Sequence, residues 1–135
     1  MTISLIRLLP VCLSAALTLS PSTFAQEGSS SSHREFADQM YKLLDGGKYG
    51  EMYKSFHSSM KREMTQEQWV ATATDVLQKT GKDHERNFKD QEKNWGAVKI
   101  RFDSRYEAGR AIDEITVAEE DGSLKVAAIW VKPTP

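Results

Sequence analysis

Near residue 84 the spacing of apolar residues changes from a helical period to a period of two. Any fold open to this chain must therefore join a helical half to a sheet half. Phe36, Met40, Leu43 and Leu44 share one helix face, and Gly46-Gly47 ends that helix because glycine tolerates the left-handed conformation at a helix terminus. Tyr49, Met52, Tyr53, Phe56 and Met60 predict a second, continuous amphipathic helix. Thr65 predicts the start of a third: its hydroxyl accepts from the amide of Gln68, whose side chain reaches back to form a capping box. Trp69, Val70, Ala73, Val76 and Leu77 make the apolar stripe of that helix, and Gly81 is its terminator.

Beyond residue 84 the best strand signal runs from Val98 to Tyr106, where Val98, Ile100, Phe102, Ser104 and Tyr106 alternate with Lys99, Arg101, Asp103, Arg105 and Glu107. Residues 84–94 are polar and expected to be extended. Asp121-Gly122 is a hairpin turn signal between strands near Ala111–Glu119 and Leu124–Lys132. Those two strands carry apolar residues on both alternating faces, as central strands covered on both sides do. The expected architecture is α+β: three N-terminal helices packed on a curled antiparallel sheet of about four strands, with a pocket on the concave side.

Met1–Arg7 carries one positive charge, Leu8–Leu19 is largely apolar, and Pro21-Ser22-Thr23-Phe24-Ala25 places small residues where a cleavage after Ala25 needs them. Residues 1–25 thus read as a secretory signal peptide, too short in its apolar core to span a membrane. Residues 26–33 contain no apolar side chain and read as a flexible tether, and residues 34–135 as one α+β domain. The expected location is the periplasm or the exterior. Only Arg7 of the 18 basic residues, and none of the 19 acidic ones, falls in the leader. The rest carries a slight net negative charge, which does not suit a nucleic-acid partner. The single cysteine, Cys12, sits inside the leader's apolar run, where lipidation does not fit, and the remaining domain has no thiol for a disulfide or a metal.

No catalytic set emerges. His57 lies beside Ser58-Ser59, but adjacent residues on a helix do not face each other, so nucleophilic catalysis is not expected there. Asp83-His84-Glu85 alternate across a strand, so they cannot converge on a metal. An isomerase- or dehydratase-like site would need an acid in an apolar pocket. Asp75, Tyr53 and Tyr106 are the candidates for it, but Asp75 lies off its helix's apolar stripe, and the two tyrosines suit core rings with a wet hydroxyl. Tyr53, Trp69, Phe102, Tyr106 and Trp130 are the ligand-pocket candidates. Trp95, in a turn-like Asn94-Trp95-Gly96 setting beside the Arg101/Arg105 strand face, leads the interaction-surface candidates Trp95, Arg101 and Arg105.

Several of these residues carry a family resemblance. Asp45-Gly46-Gly47-Lys48-Tyr49, Tyr53, Thr65 with Trp69, Gly81 with Arg86, the Val98–Tyr106 alternation, Glu114 before Val117, and Asp121-Gly122 with Lys125-Val126 resemble the bacterial exported domain-of-unknown-function family 4019 over residues 35–133. Leu124 stands where that pattern tends to have tryptophan, and Ala128-Ile129 where it tends to have Gly-Tyr. The resemblance implies a cystatin-like or nuclear-transport-factor-2-like architecture and an exported protein, and it brings no catalytic residues with it.

The functional expectation is a non-enzymatic envelope module, without cofactor or metal, that binds a small ligand or an envelope protein and can pair as a homodimer through its two-sided strands. Two other readings stay open: a small isomerase- or dehydratase-like enzyme with a buried acid in the sheet concavity, and an envelope immunity or interaction protein.

Overall fold

The structure, a computed structural model, describes the backbone from Ser22 to Pro135 and side chains from Ser32 onward. Residues 1–21, most of the expected leader, lie outside the described residues. Four helices precede four strands: α1 (Ser22–Asp45), α2 (Tyr49–Lys54), α3 (Ser58–Glu63), α4 (Gln66–Thr80), β1 (Asp83–Asn94), β2 (Ala97–Tyr106), β3 (Gly109–Glu120) and β4 (Ser123–Pro133). α1 runs through residues 26–33, where the composition had suggested a tether. The strands form one antiparallel meander in the order β1-β2-β3-β4, open and curled, as the α+β reading expected.

The core lies between the helices and the inner face of the sheet. Met40, Tyr41 and Leu44 of α1, Met52 of α2, Phe56, and Trp69 and Ala73 of α4 meet Val98, Ile100, Phe102, Ile115, Val117 and Val126. Phe56 and Trp69 pack edge to face with centroids 4.9 Å apart, and the Trp69 indole N–H donates to Tyr49 O at 3.0 Å. The Thr65 capping box and the Gly81 terminator both form.

Two expectations need correction. The second helix is not continuous: Ser55, Phe56 and His57 break it into α2 and α3. His57 N–H donates to Val126 O and Val126 N–H to Ser55 O, both at 2.8 Å, so Phe56 makes a parallel bridge onto β4. Two backbone bonds to a sheet edge outweigh one continuous helical turn here, because that edge would otherwise hold unsatisfied groups at Val126. The His57 imidazole then caps α3: its Nδ1 accepts from Ser59 N–H at 3.1 Å and lies 2.9 Å from Ser59 Oγ, so these two side chains meet although neighbours on a helix were not expected to.

The second correction concerns β4. Its large aliphatic residues do not face both ways. A register shift between Thr116 and Val117 makes room for a bulge at Ala127, so Val126 pairs with Val117 while Ile129 pairs with Ile115. Leu124, Val126, Ile129 and Val131 all lie on the inner face, and Trp130, opposite Glu114, is left on the outer face. β4 is an edge strand rather than a central one.

Glu120 fastens α3 to the end of β3. Its carboxylate accepts from the Ser58 amide and hydroxyl, with His57 Nε2 at 3.7 Å. The Ser58 hydroxyl bond leads the interactions that lower the Glu120 pKa. A depressed carboxylate stabilises the fold above its unfolded pKa, and that contribution fades as pH falls through the folded pKa. Urea titrations should therefore show Glu120→Gln less stable than wild type at neutral pH, the gap closing on acidification below the ordinary carboxylate range.

Gly81 has φ +78, and a Cβ there would lie 2.7 Å from Glu107 Cβ. Gly81→Ala should cost about 1–3 kcal/mol in equilibrium unfolding.

Candidate functional site

The helix-facing side of the sheet carries one buried ionic cluster. Asp113 on β3 is 0% exposed. Its Oδ2 accepts from Tyr106 Oη at 2.6 Å, Ser104 Oγ at 2.7 Å and Arg86 Nε at 2.8 Å. The strand alternation dictates this convergence: Arg86 pairs with Ser104 across β1–β2, and Ser104 shares the inner face with Tyr106 and Asp113. Arg86 reaches on to Asp45 at 2.8 Å and Asp83 at 3.5 Å, and its guanidinium carbon sits 4.2 Å over the Tyr41 ring. Asp45 is the last residue of α1, where a carboxylate opposes the helix dipole, and Arg86 offsets that charge.

The local electrostatics follow from burial and charge together. Burial disfavours the Arg86 cation, but hydrogen bonds to Asp45 and Asp113 outweigh it and raise its pKa. Burial, followed by the Asp113 charge, raises the Tyr106 and Tyr41 hydroxyls. Burial also lifts Asp83, against the pull of Arg86. The hydroxyls of these core rings are not uniformly wet: Tyr106 is locked into the cluster, and Tyr53 donates to Met64 O at 2.8 Å. Tyr41 Oη, Asp83 Oδ1 and Asp113 Oδ1 are buried without a protein hydrogen-bond partner.

Beside this cluster an apolar groove of about 80 Å³ opens between α4 and β4, lined chiefly by Leu44, Trp69, Ala73, Val76, Ile129 and Val131. Tyr106 forms part of its floor, Thr72 and Trp130 also border it, and no carboxylate lines it. Of the five pocket candidates, Trp69, Tyr106 and Trp130 border this groove. Tyr53 and Phe102 do not: Tyr53 packs on Phe56, and Phe102 packs edge to face on Tyr41 and Phe88. Trp130 meets the groove from the outward side of the edge strand and is 59% exposed, not a packed core residue.

The surface candidates do not form one patch. Trp95 sits at φ 51 followed by Gly96 at φ 81, a tight β1–β2 turn with positive φ at both positions, and is 99% exposed. Arg105 lies near the far end of β2, opposite Arg110, in a shallow polar hollow that Glu85 and Asp103 also line. Arg101 is committed to Asp90 at 2.9 Å and to Glu92 and Glu114 at 3.2 Å. Asp75 pairs with Lys79 at 3.0 Å on the exposed side of α4.

Sequence reasoning missed Asp113 as a functional candidate. Its signal was a lone acid on the apolar face of β3, two residues from Ile115, which the two-sided reading of that strand hid. Among the described residues no group of three or more His, Cys, Asp or Glu side chains is arranged to hold a metal ion, and no helix is long and apolar enough to cross a membrane.

Fold and groove together define a small α+β domain with helices on one face of an open meander and an apolar cleft at its free edge. The chain belongs to a family of proteins of unknown function, DUF4019, whose family model matches residues 36–128. The matched span holds Arg86, Ser104, Tyr106, Asp113 and the groove-lining part of α4. No curated protein matches the chain.

The cluster should act as a structural keystone. Asp113→Ala leaves the Arg86 cation without a buried partner and should cost about 3–5 kcal/mol. Tyr106→Phe, which removes the bond donated to Asp113 and the one accepted from Arg86, should cost about 1–3 kcal/mol. Denaturant unfolding of both variants checks the order.

Proposed function

We propose that this protein is exported and serves as a non-enzymatic binding module of the cell envelope, with the α4–β4 groove as its contact site. The observation that carries the reading is the groove's lining: aliphatic and aromatic side chains with Thr72 at the rim, no acid, and an open mouth at a sheet edge. Its volume is well below the roughly 300–1,000 Å³ of pockets that enclose drug-sized ligands. A group of a few heavy atoms fits, such as one apolar side chain of a partner protein or the end of an acyl chain. Export rests on the tripartite leader over residues 1–25.

An isomerase-like enzyme would need a carboxylate facing the bound substrate. The buried acid that such a reading requires exists as Asp113. However, its Oδ2 already accepts three hydrogen bonds and it does not border the groove. That favours binding over catalysis. An interaction or immunity protein remains the nearest variant of the binding reading, with the exposed Trp95 as its further contact.

Native mass spectrometry of the protein recovered from its own envelope tests both parts. The expected result is a chain beginning at Gln26 that carries an apolar species, lost when Thr72→Trp fills the exposed rim of the groove. An intact leader would refute export. A bare chain, or a ligand indifferent to Thr72→Trp, would refute the groove.

A further inference from the structure

β4 leaves part of its backbone edge open, and the open part is symmetric about Trp130. Thr134 N–H donates to Arg110 O on β3 at 2.9 Å. Backbone groups alternate sides along a strand, so Lys132, Trp130 and Ala128 also point at β3, while Ile129, Val131 and Pro133 point away. The bulge at Ala127 resets the alternation, and Val126 points away too, where Ser55 and His57 satisfy it. The edge is therefore closed at one end by the Ser55–His57 bridge and blunted at the other by Pro133, which has no N–H. Between them, the N–H and C=O of Ile129 and Val131 face outward, with no helix or loop paired to them among the described residues. Natural sheets seldom leave such an edge bare beside an exposed tryptophan.

We infer that a second copy of this chain occupies this edge, joining the two meanders across a twofold axis at Trp130. In an antiparallel pairing centred there, Ile129 exchanges both backbone bonds with the partner's Val131, and Val131 does the same with the partner's Ile129. Trp130 stands directly opposite the partner's Trp130 on the outer face, which buries the indole that the monomer leaves 59% exposed.

The charges suit this register. The only charged side chain from Ala128 to Lys132 is Lys132, and it falls opposite the partner's Ala128, not opposite another charge. Its diagonal neighbour is the partner's Trp130, within reach for a cation–π contact. Lys132 is already drawn to that outer face by Glu114 at 3.4 Å. A register shifted toward Val126 would meet the edge that Ser55 and His57 occupy. This dimer replaces the pairing through two-sided strands expected from sequence, and it rests on the open backbone edge rather than on a groove ligand, although Ile129, Trp130 and Val131 border both.

The test uses protein expressed from its full coding sequence. Sedimentation velocity of wild type at high micromolar concentration should show a reversible dimer, weak because so short an edge sits at the small end of specific interfaces. Val131→Pro removes an outward N–H without touching the β3 ladder. It should sediment as a folded monomer with an unchanged circular dichroism spectrum. Trp130→Glu places like charges on the axis and should raise the dimer Kd roughly tenfold or more. In a Cys12→Ser background, Trp130→Cys should oxidise to a covalent dimer, since directly opposed residues of a non-hydrogen-bonded pair lie within disulfide reach. Lys132→Cys should not, because it faces the partner's Ala128. Monomeric wild type at all concentrations, a dimer unaffected by Val131→Pro, or cross-linking at Lys132→Cys in place of Trp130→Cys would each overturn the inference. Bare but dimeric protein would remove the groove reading alone; ligand-bound monomer would remove the dimer alone.

Discussion

The Asp113–Arg86 ion pair, at 2.8 Å under the helices, is the contact on which the arrangement of the other elements depends. A buried carboxylate and guanidinium can coexist only if their remaining groups are also satisfied. Meeting that demand recruits Ser104 and Tyr106 from β2, Asp83 from β1 and Asp45 from the end of α1. One polar requirement thereby ties three strands in register and anchors the end of the first helix, which Gly46-Gly47 terminates, against the sheet. The Tyr41 ring, stacked on Arg86 and packed edge to face with Phe102, carries the same constraint into the apolar core. The apolar groove is bounded by this cluster at Tyr106, whose hydroxyl is held by Asp113 and Arg86.

The two faces of the sheet divide the chemistry. Inside, apolar side chains and one ionic cluster hold the helices. Outside, Arg101 ties Asp90, Glu92 and Glu114 together across three strands, which leaves Glu114 nearly buried although it faces away from the helices. A residue that looked available for a partner is thus spent on shielding a carboxylate. What the outer face keeps free lies at its margins: the turn at Trp95 and the edge at Trp130.

Much of this fold could be read from residue order. The helical stripes, the Thr65 capping box, the Gly81 stop, the Val98–Tyr106 alternation and the Asp121-Gly122 turn are local features whose physics lies within a few residues. The misreadings come from interactions distant in sequence. Nothing near Phe56 announces that Val126 will claim its neighbours' backbone and split the helix. Nothing near Ala127 announces a bulge, so the alternation of β4 misleads about the side on which Trp130 emerges. Asp113 showed only as an acid on an apolar face, and its partners could not be named from sequence: they come from β1 and β2, and only the assembled register brings them to it. Trp69 and Tyr106 were recoverable because large aromatics on an apolar stripe line either a core or a cleft, and here they do both.

The meander and the Phe56–Val126 bridge have a kinetic corollary. Each strand pairs only with its sequence neighbours, so the sheet can grow by short-range hairpin closures. The bridge instead spans from the helical half to the last strand and must close a long loop at a larger entropic cost. On contact-order grounds, docking β4 against Ser55–His57 should be the late event in folding, and the last strand the first to be released when the native state opens locally.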